Sequence, residues 1–177
     1  YRRLDDNFLD PKVFFKDSLI GVPGLFKSWR KGNVGIINAI GTGVADDKVV
    51  YSYVNKMVDY YLGEQPILNQ VETYLCHNKI ERNYVIENIS KLVVKPANAS
   101  GGYGIMIGPR ADKKERDEVI AKIKKNPREY IAQPLETLST APTITENDIE
   151  PRHLDLRPFV LSGKTTYVST GGLTRVA

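Results

Sequence analysis

Hydrophobic residues in this chain recur at helical spacing in some stretches and at every second position in others, and the changeovers mark its elements. Pro23 near a helix start and Gly32 past its end bracket a short helix carrying Leu25, Phe26 and Trp29. Residues 34–38 then read as a buried strand, and 39–43 as a tight glycine connection. A longer helix is expected over 46–62, opened by Asp46 or Asp47, with Val50, Tyr53, Val54, Met57, Tyr61 and Leu62 on its apolar side and Gly63 at its end. Asn78 with Glu81 opens a helix over 79–90 with Ile80, Tyr84, Val85 and Ile89 inward. Asp112 with Glu115 opens another over 113–125, its inner stripe Val119, Ile120 and Ile123.

Strand patterns fall near 92–95, 104–107, 129–133, 137–144, 152–161 and 164–170, the last two joined through Ser162 and Gly163. The opening residues up to Pro11 read as a strand end running into a polar loop. Connections after Lys95 are short and rich in glycine, which favours antiparallel neighbours. The expected class is therefore α/β in the α+β sense, with mainly antiparallel sheets. The expected division is an α/β lobe over 1–78 and a second part over 79–177.

Composition narrows the picture in few places. The 177 residues are 41% hydrophobic and 26% charged, which is ordinary for a globular chain able to bury a real core. No apolar run reaches the roughly 18 residues of a membrane-spanning helix. The chain opens on Tyr1 without a signal-peptide pattern and reads as a piece of a longer protein. One cysteine, Cys76, excludes an internal disulfide framework and suits a reducing cytoplasm. Its neighbour His77 does not make a Cys–His catalytic pair, because adjacent residues seldom face each other. The net charge of +4 is concentrated in residues 110–128. Asp117, Glu115 and Glu118 interrupt that cluster, and Lys113, Lys114, Arg116, Lys122, Lys124 and Lys125 read as a solvated helix face rather than a nucleic-acid patch.

The chemistry centres on Val93-Val94-Lys95-Pro96 running straight into Ala97-Asn98-Ala99-Ser100-Gly101-Gly102-Tyr103-Gly104. Glycines let a backbone approach a ligand closely and aim several N–H groups at one anion. A lysine beside them sets a compact positive charge near phosphate oxygens. The spacing is neither a P-loop nor a dinucleotide-binding fingerprint. Taken locally, the same residues also suit a plain hairpin tip with a lysine nearby. Because 104–108 reads as a strand, the glycines would bridge two strands as a small flap instead of opening a helix. A further constellation is Asp155-Leu156-Arg157-Pro158-Phe159, where alternation puts Asp155, Arg157 and Phe159 on one face. Arg157 there offers fixed planar donors to a phosphoryl oxygen, or forms an ordinary cross-strand ion pair. Pro158 suggests an edge or a bulge.

The ordered series YRRLDDNFLDP, DSLIGVPGL, NAIGTGV, VVKPANASGGYGIMIGP, YIAQPL with LSTAPT, RHLDLRPFVLSG and GGLTRVA resembles the circularly permuted ATP-grasp family, whose members are often labelled as relatives of glutathionylspermidine synthase. The resemblance implies nucleotide held between two β-sheets, beside a small substrate lobe. It implies Lys95 on the phosphates or the adenine-proximal part of ATP, and Ser100, Gly101, Gly102, Tyr103 and Gly104 folded over the β- and γ-phosphates. The main chain near Ala132, Gln133 and Leu135 would read the adenine edge. Arg157 would act on the transferring phosphoryl group, Arg175 on a second oxyanion or a substrate carboxylate, and Arg2 and Arg3 on substrate.

The implied reaction is ATP-dependent carboxylate–amine ligation through an acyl phosphate, on small-molecule or peptide substrates. The implied cofactors are ATP and Mg²⁺. The metal ligands of such enzymes, usually near a Glu-x-Asn pattern, are expected outside this fragment, since Glu146 and Asn147 are adjacent and some relatives carry an acid where this chain has Asn98, Ala99 and Ser100. The fragment is accordingly expected to be inactive alone. A non-catalytic nucleotide-binding or interaction module is the competing reading.

Overall fold

The structure is a computed structural model and describes residues 1–99, 101–146 and 148–176. It divides into two compact units, Tyr1–Pro134 and Leu135–Ala177.

The core of the first unit is a four-stranded sheet in the order β1-β4-β2-β3, made of β1 (Tyr74–Leu75), β2 (Leu92–Pro96), β3 (Met106–Ile107) and β4 (Tyr130–Pro134). Every pairing in it is antiparallel. Cys76, Val94, Met106 and Ala132 are buried in one cluster with Val85 of helix α5 (Lys79–Glu87) and Val119 and Ile123 of α6 (Lys113–Lys125). Complete burial of side chains such as Ile123, Val94 and Val85 stabilises by about 1.5–3 kcal/mol each. Both helix starts follow the capping pattern read from sequence. Asn78 Oδ1 accepts from Ile80 N and Glu81 N at 2.9 and 3.3 Å, and Asp112 Oδ1 accepts from Glu115 N at 2.8 Å. Glu81 reaches back to Leu75 N, tying α5 to the end of β1.

The inner face of α5 is narrower than expected. Val85 and Ile89 are buried, whereas Ile80 is 80% exposed and Tyr84 leans on Tyr74 at a ring separation of 4.8 Å. The helix stops at Glu87, and a 3₁₀ turn over Ile89–Lys91 leads into β2. Arg116 also departs from the solvated face: its guanidinium donates to Gly108 O and Ala111 O at 3.2 and 2.7 Å, fixing the loop that follows β3.

Before β1 the chain folds locally. The opening residues form a short helix α1 (Asp6–Leu9) in place of a strand end, because Asp5 caps Asn7 N at 2.9 Å. Helix α2 (Leu25–Arg30) lies where Pro23 and Gly32 predicted it, and Phe26 and Trp29 contact through their rings at 5.6 Å. Residues 34–38 are not a strand: Val34 and Ile37 are exposed, and Arg2 binds the carbonyls of Ile37 and Asn38 in place of a ladder partner. The expected 46–62 helix is broken into a 3₁₀ turn (Thr42–Asp46), α3 (Lys48–Tyr51) and α4 (Val54–Leu62). The run of β-branched and aromatic residues from Val49 to Val54 weakens helix continuity, and Ser52 Oγ donates to Val49 O at 2.7 Å at the break. The apolar side of α4 is uncovered, with Tyr61 76% and Leu62 64% exposed.

The second unit is a three-stranded antiparallel sheet in the order β5-β6-β7, formed by β5 (Thr140–Ile144), β6 (Ile149–Ser162) and β7 (Thr166–Val176). Its register shifts between Pro158 and Val160, which places the irregularity at the residue that sequence marked. The mixture of helices and antiparallel sheets is the α+β class expected from the sequence. Among the described residues no helix is long and apolar enough to cross a membrane.

Candidate functional site

Strand β2 carries Val94 into the core and so turns Lys95 to the opposite face. Register sets Lys95 against Ile131 and Val93 against Gln133, so Lys95 and Gln133 share that face as diagonal neighbours. The lysine Nζ donates to Gln133 Oε1 at 2.6 Å, and Gln133 Nε2 donates to Thr73 Oγ1 at 2.9 Å. An ammonium has no acceptor, so the amide can satisfy it in one orientation only. The outcome is a half-buried cation held at a fixed point.

A second ammonium stands beside it. Lys48, the first residue of α3, docks on the segment that leaves β2: its N–H donates to Ala97 O at 2.9 Å and its Nζ to Ala99 O at 2.6 Å. Burial, and then the charge of Lys48, hold the Lys95 ammonium below its usual pKa of 10.5. No described carboxylate forms an ion pair with either lysine. Two partly desolvated cations without a counter-charge make a favourable seat for an anion.

The glycine segment closes the β2–β3 hairpin, with Val93 opposite Ile107 and Val94 opposite Met106. The strand–loop–strand form expected of the flap is therefore present. Gly101, Gly102 and Gly104 adopt φ of 71°, 80° and 72°, in the left-handed region that side chains disfavour. Tyr103 is 81% exposed at the tip, and Ser100 lies outside the described residues. At the far end of the hairpin Gly108 is wedged so closely that a Cβ would lie 1.9 Å from Ile89 O.

Strand β4 supplies the remaining positions beside Lys95. Ala132 is fully buried between Tyr74 and Val94, and β1 pairs only with Ile131 and Ala132. Strand pairing on the β1 side of β4 ends at Ala132; Gln133 beyond it is buried and bonded to Thr73, and Leu135, 49% exposed, follows the strand.

In the second unit, Arg157 and Arg175 lie on paired strands near one carboxylate. Arg175 Nε donates to Asp155 Oδ2 at 2.9 Å, and its Nη2 bonds the same oxygen. Arg157 Nε stands 4.0 Å from that oxygen and makes no hydrogen bond to it. The guanidinium that Asp155 fixes is thus Arg175, across the strands, rather than Arg157 two residues along. Hydrogen bonding from Arg175 lowers the Asp155 carboxyl below its usual 3.8 and raises Arg175 in return.

Arg2 and Arg3 border a cavity of about 410 Å³ with Leu4, Asn38, Ala39, Thr42, Ala45 and Asp46. Cys76 contributes packing only: burial pushes its thiol up to about 12, so no thiolate is available at neutral pH.

Residues 1–177 match the family described as circularly permuted ATP-grasp type 2. The chain belongs to that family. It is 55% identical over its full length to an uncharacterised protein of Synechocystis sp., covering 37% of that protein. Identity is 52% to an uncharacterised protein of Mycobacterium tuberculosis, again over the whole chain and 32% of the relative. A Frankia casuarinae protein named "Putative glutamate--cysteine ligase 2-2" is 45% identical, with 20% of its length covered. The chain thus spans between a fifth and about two fifths of these curated relatives.

Two residues of this candidate site escaped the sequence reading. Lys48 is an ordinary polar residue in a helical pattern, and its contacts with Ala97 and Ala99 cross 49 and 51 residues. Gln133 was expected to matter through its main chain alone, with no part for its side chain. A glutamine on a strand two positions from the register partner of a lysine is the signal that identifies it, once the pairing is known.

Proposed function

We propose that this chain supplies the nucleotide-binding part of an ATP-dependent ligase that joins a carboxylate to an amine through an acyl phosphate. The observation that carries the reading is the convergence of Lys95 and Lys48 at the root of a glycine hairpin, without a counter-ion. ATP would supply the phosphoryl group that activates the carboxylate. Lys95, positioned by Gln133, meets phosphate charge already present in the ground state. Gly101, Gly102 and Gly104 let the hairpin lie close over phosphates and exclude water from the reactive centre. The main chain at Gln133 and Leu135, beyond the last residue of β4 paired with β1, suits adenine. Arg157 remains free of a hydrogen-bonded carboxylate and acts on the charge that redistributes during transfer; Arg175 presents its unpaired donors to an oxyanion.

In this reading residues 1–78 serve the substrate side and 79–177 the nucleotide side, with Lys48 reaching from one to the other. The name of the Frankia casuarinae relative, "Putative glutamate--cysteine ligase 2-2", is in keeping with amide formation. Among the described residues no group of three or more His, Cys, Asp or Glu could hold a metal ion. No step through a metal is assigned to this chain.

The deciding experiment is ATP binding and phosphate release by the whole protein, screened against paired carboxylates and amines, with Lys95→Met alongside. Phosphate release that depends on both partners and is lost with Lys95 supports the ligase. Nucleotide binding without turnover by any pair leaves the non-catalytic module as the function.

A further inference from the structure

The sheet of the second unit has two unlike faces. Alternation and register put Leu154, Leu156, Pro158 and Val160 of β6 on one side, together with Val168 and Val176 of β7. Asp155, Arg157 and Arg175 fall on the other side, as the contact between Asp155 and Arg175 requires. The register shift at Pro158 does not exchange the faces. The pairings on either side of it, Pro158 with Gly172 and Val160 with Val168, keep even steps on both strands. Leu156 agrees with this assignment: its Cδ1 would lie 3.2 Å from a Cβ at Gly172, on the same side.

The first face is an apolar patch with defined limits. The Glu150–Arg152 ion pair, at 2.6 Å, bounds it at one end, and Ser162 with Thr166 bounds it at the turn. Between these limits the face carries no charged residue. On the same side β5 adds only Ala141 and Thr143, so the patch is confined to β6 and β7. Yet Leu156 is 66% exposed and Val168 55%. A sheet of this size gains its stability by burying one apolar face against another layer. The footprint is that of a single helix. From Leu154 to Val160 a strand rises about 20 Å, at roughly 3.3 Å per residue, across two strands about 5 Å apart. About 13 helical residues cover that length, on a cylinder about 10–12 Å wide. The chain covers 37% of its Synechocystis relative and 32% of its Mycobacterium tuberculosis relative, so most of each lies outside the matched region.

We propose that this face docks one amphipathic helix of the same polypeptide, from outside residues 1–177, whose apolar stripe packs along Leu154–Val160. The helix leaves the opposite face, with Arg157 and Arg175, free for a ligand. A cover within one polypeptide is present at any protein concentration, whereas one from a second copy is lost on dilution. The inference is independent of the ligase reading, because the sheet needs its covering layer whether or not ATP is turned over.

The test is thiol labelling of the whole protein, without nucleotide, read peptide by peptide in a mass spectrometer. Leu156→Cys and Val168→Cys report on the face, and Lys164→Cys in the β6–β7 turn is the exposed reference. Cys76 adds little background, being fully buried with its thiol pushed up to about 12. Both face cysteines should react at least about tenfold more slowly than Lys164→Cys, at every protein concentration. A photoactivated cross-linker on Leu156→Cys should capture a peptide of the same molecule from outside residues 1–177. Cysteines placed along that peptide should be protected at every third or fourth position. Labelling of both face cysteines as fast as the reference overturns the proposal. So does protection that disappears on dilution, which assigns the face to a second copy, or a cross-link to residues 1–134. Protection of the captured peptide at every second position makes the occupant a strand and also overturns it. Hydroxyl-radical footprinting of the unaltered protein guards against variants that fail to fold: Leu156 modified as readily in the native as in the unfolded protein has no cover. None of these readouts depends on ATP turnover, so the ligase reading stands or falls separately.

Discussion

Lys95 and Arg175 are both proposed to meet an anion, yet their surroundings treat charge in opposite ways. Lys95 sits on a sheet whose other face is a closed core, half-buried, with a second ammonium nearby and only a neutral amide to bond it. Arg175 lies on an exposed three-stranded sheet, already matched by Asp155. The first is destabilised until an anion arrives, so a phosphate gains most there. The second keeps its charge at every accessible pH and presents a direction more than a potential. A desolvated cation serves affinity, and an exposed paired guanidinium serves geometry.

The largest expected effect tests the structural side of that contrast. Gly108→Ala should destabilise the protein by about 3 kcal/mol or more in denaturant unfolding, since backbone carbonyls would have to move. Gly171→Ala, with nothing within 4 Å of the added carbon, should stay within about 0.5 kcal/mol. Equal effects would erase the difference between packed sheet and exposed sheet.

Next comes the division of chemistry. Arg157→Met should lower kcat by about 100-fold or more with little change in ATP affinity, the scale of losing a donor to the transition state. Lys95→Met should instead raise KM for ATP, by about 1–3 kcal/mol for a charge-assisted contact. Weakened binding with normal kcat in Arg157→Met would reassign that arginine to ground-state recognition.

A smaller effect reports on Lys48. Lys48→Met removes the neighbouring charge and should move the Lys95 pKa upward, toward 10.5, in a side-chain NMR titration. Bound phosphates should do the same, so ATP binding takes up protons in the alkaline range and weakens as pH rises through the depressed pKa of the free protein. The sign for folding is the reverse. A lysine that holds its proton less tightly when folded costs stability while charged, and that cost fades as pH rises toward 10.5.

The smallest effect belongs to the exposed sheet. The lowered pKa of Asp155 contributes stability that is present above its ordinary 3.8 and lost as pH falls through the folded value. Because the pair is exposed, Asp155→Asn should barely change the unfolding midpoint at neutral pH, while loosening Arg175 enough to broaden its NMR side-chain signals.

Sequence alone determined the elements whose signals are local. The caps at Asn78 and Asp112, the buried stripe of Val119 and Ile123, the strand ending in Lys95, the glycine hairpin and the irregularity at Pro158 depend on neighbours a few residues away. Tertiary structure decided whatever depended on distant partners. Residues 34–38 have the composition of a strand, but Arg2 took their carbonyls. The helix expected over 46–62 broke where its β-branched run had no covering layer to hold it. Lys48, Gln133 and Thr73 became one site with Lys95 only because strand register and the docking of α3 brought them together, and Asp155 chose Arg175 because a cross-strand partner stood nearer than one on its own strand. Periodicity encodes which face a residue occupies. The group that meets it there is set by how the faces assemble.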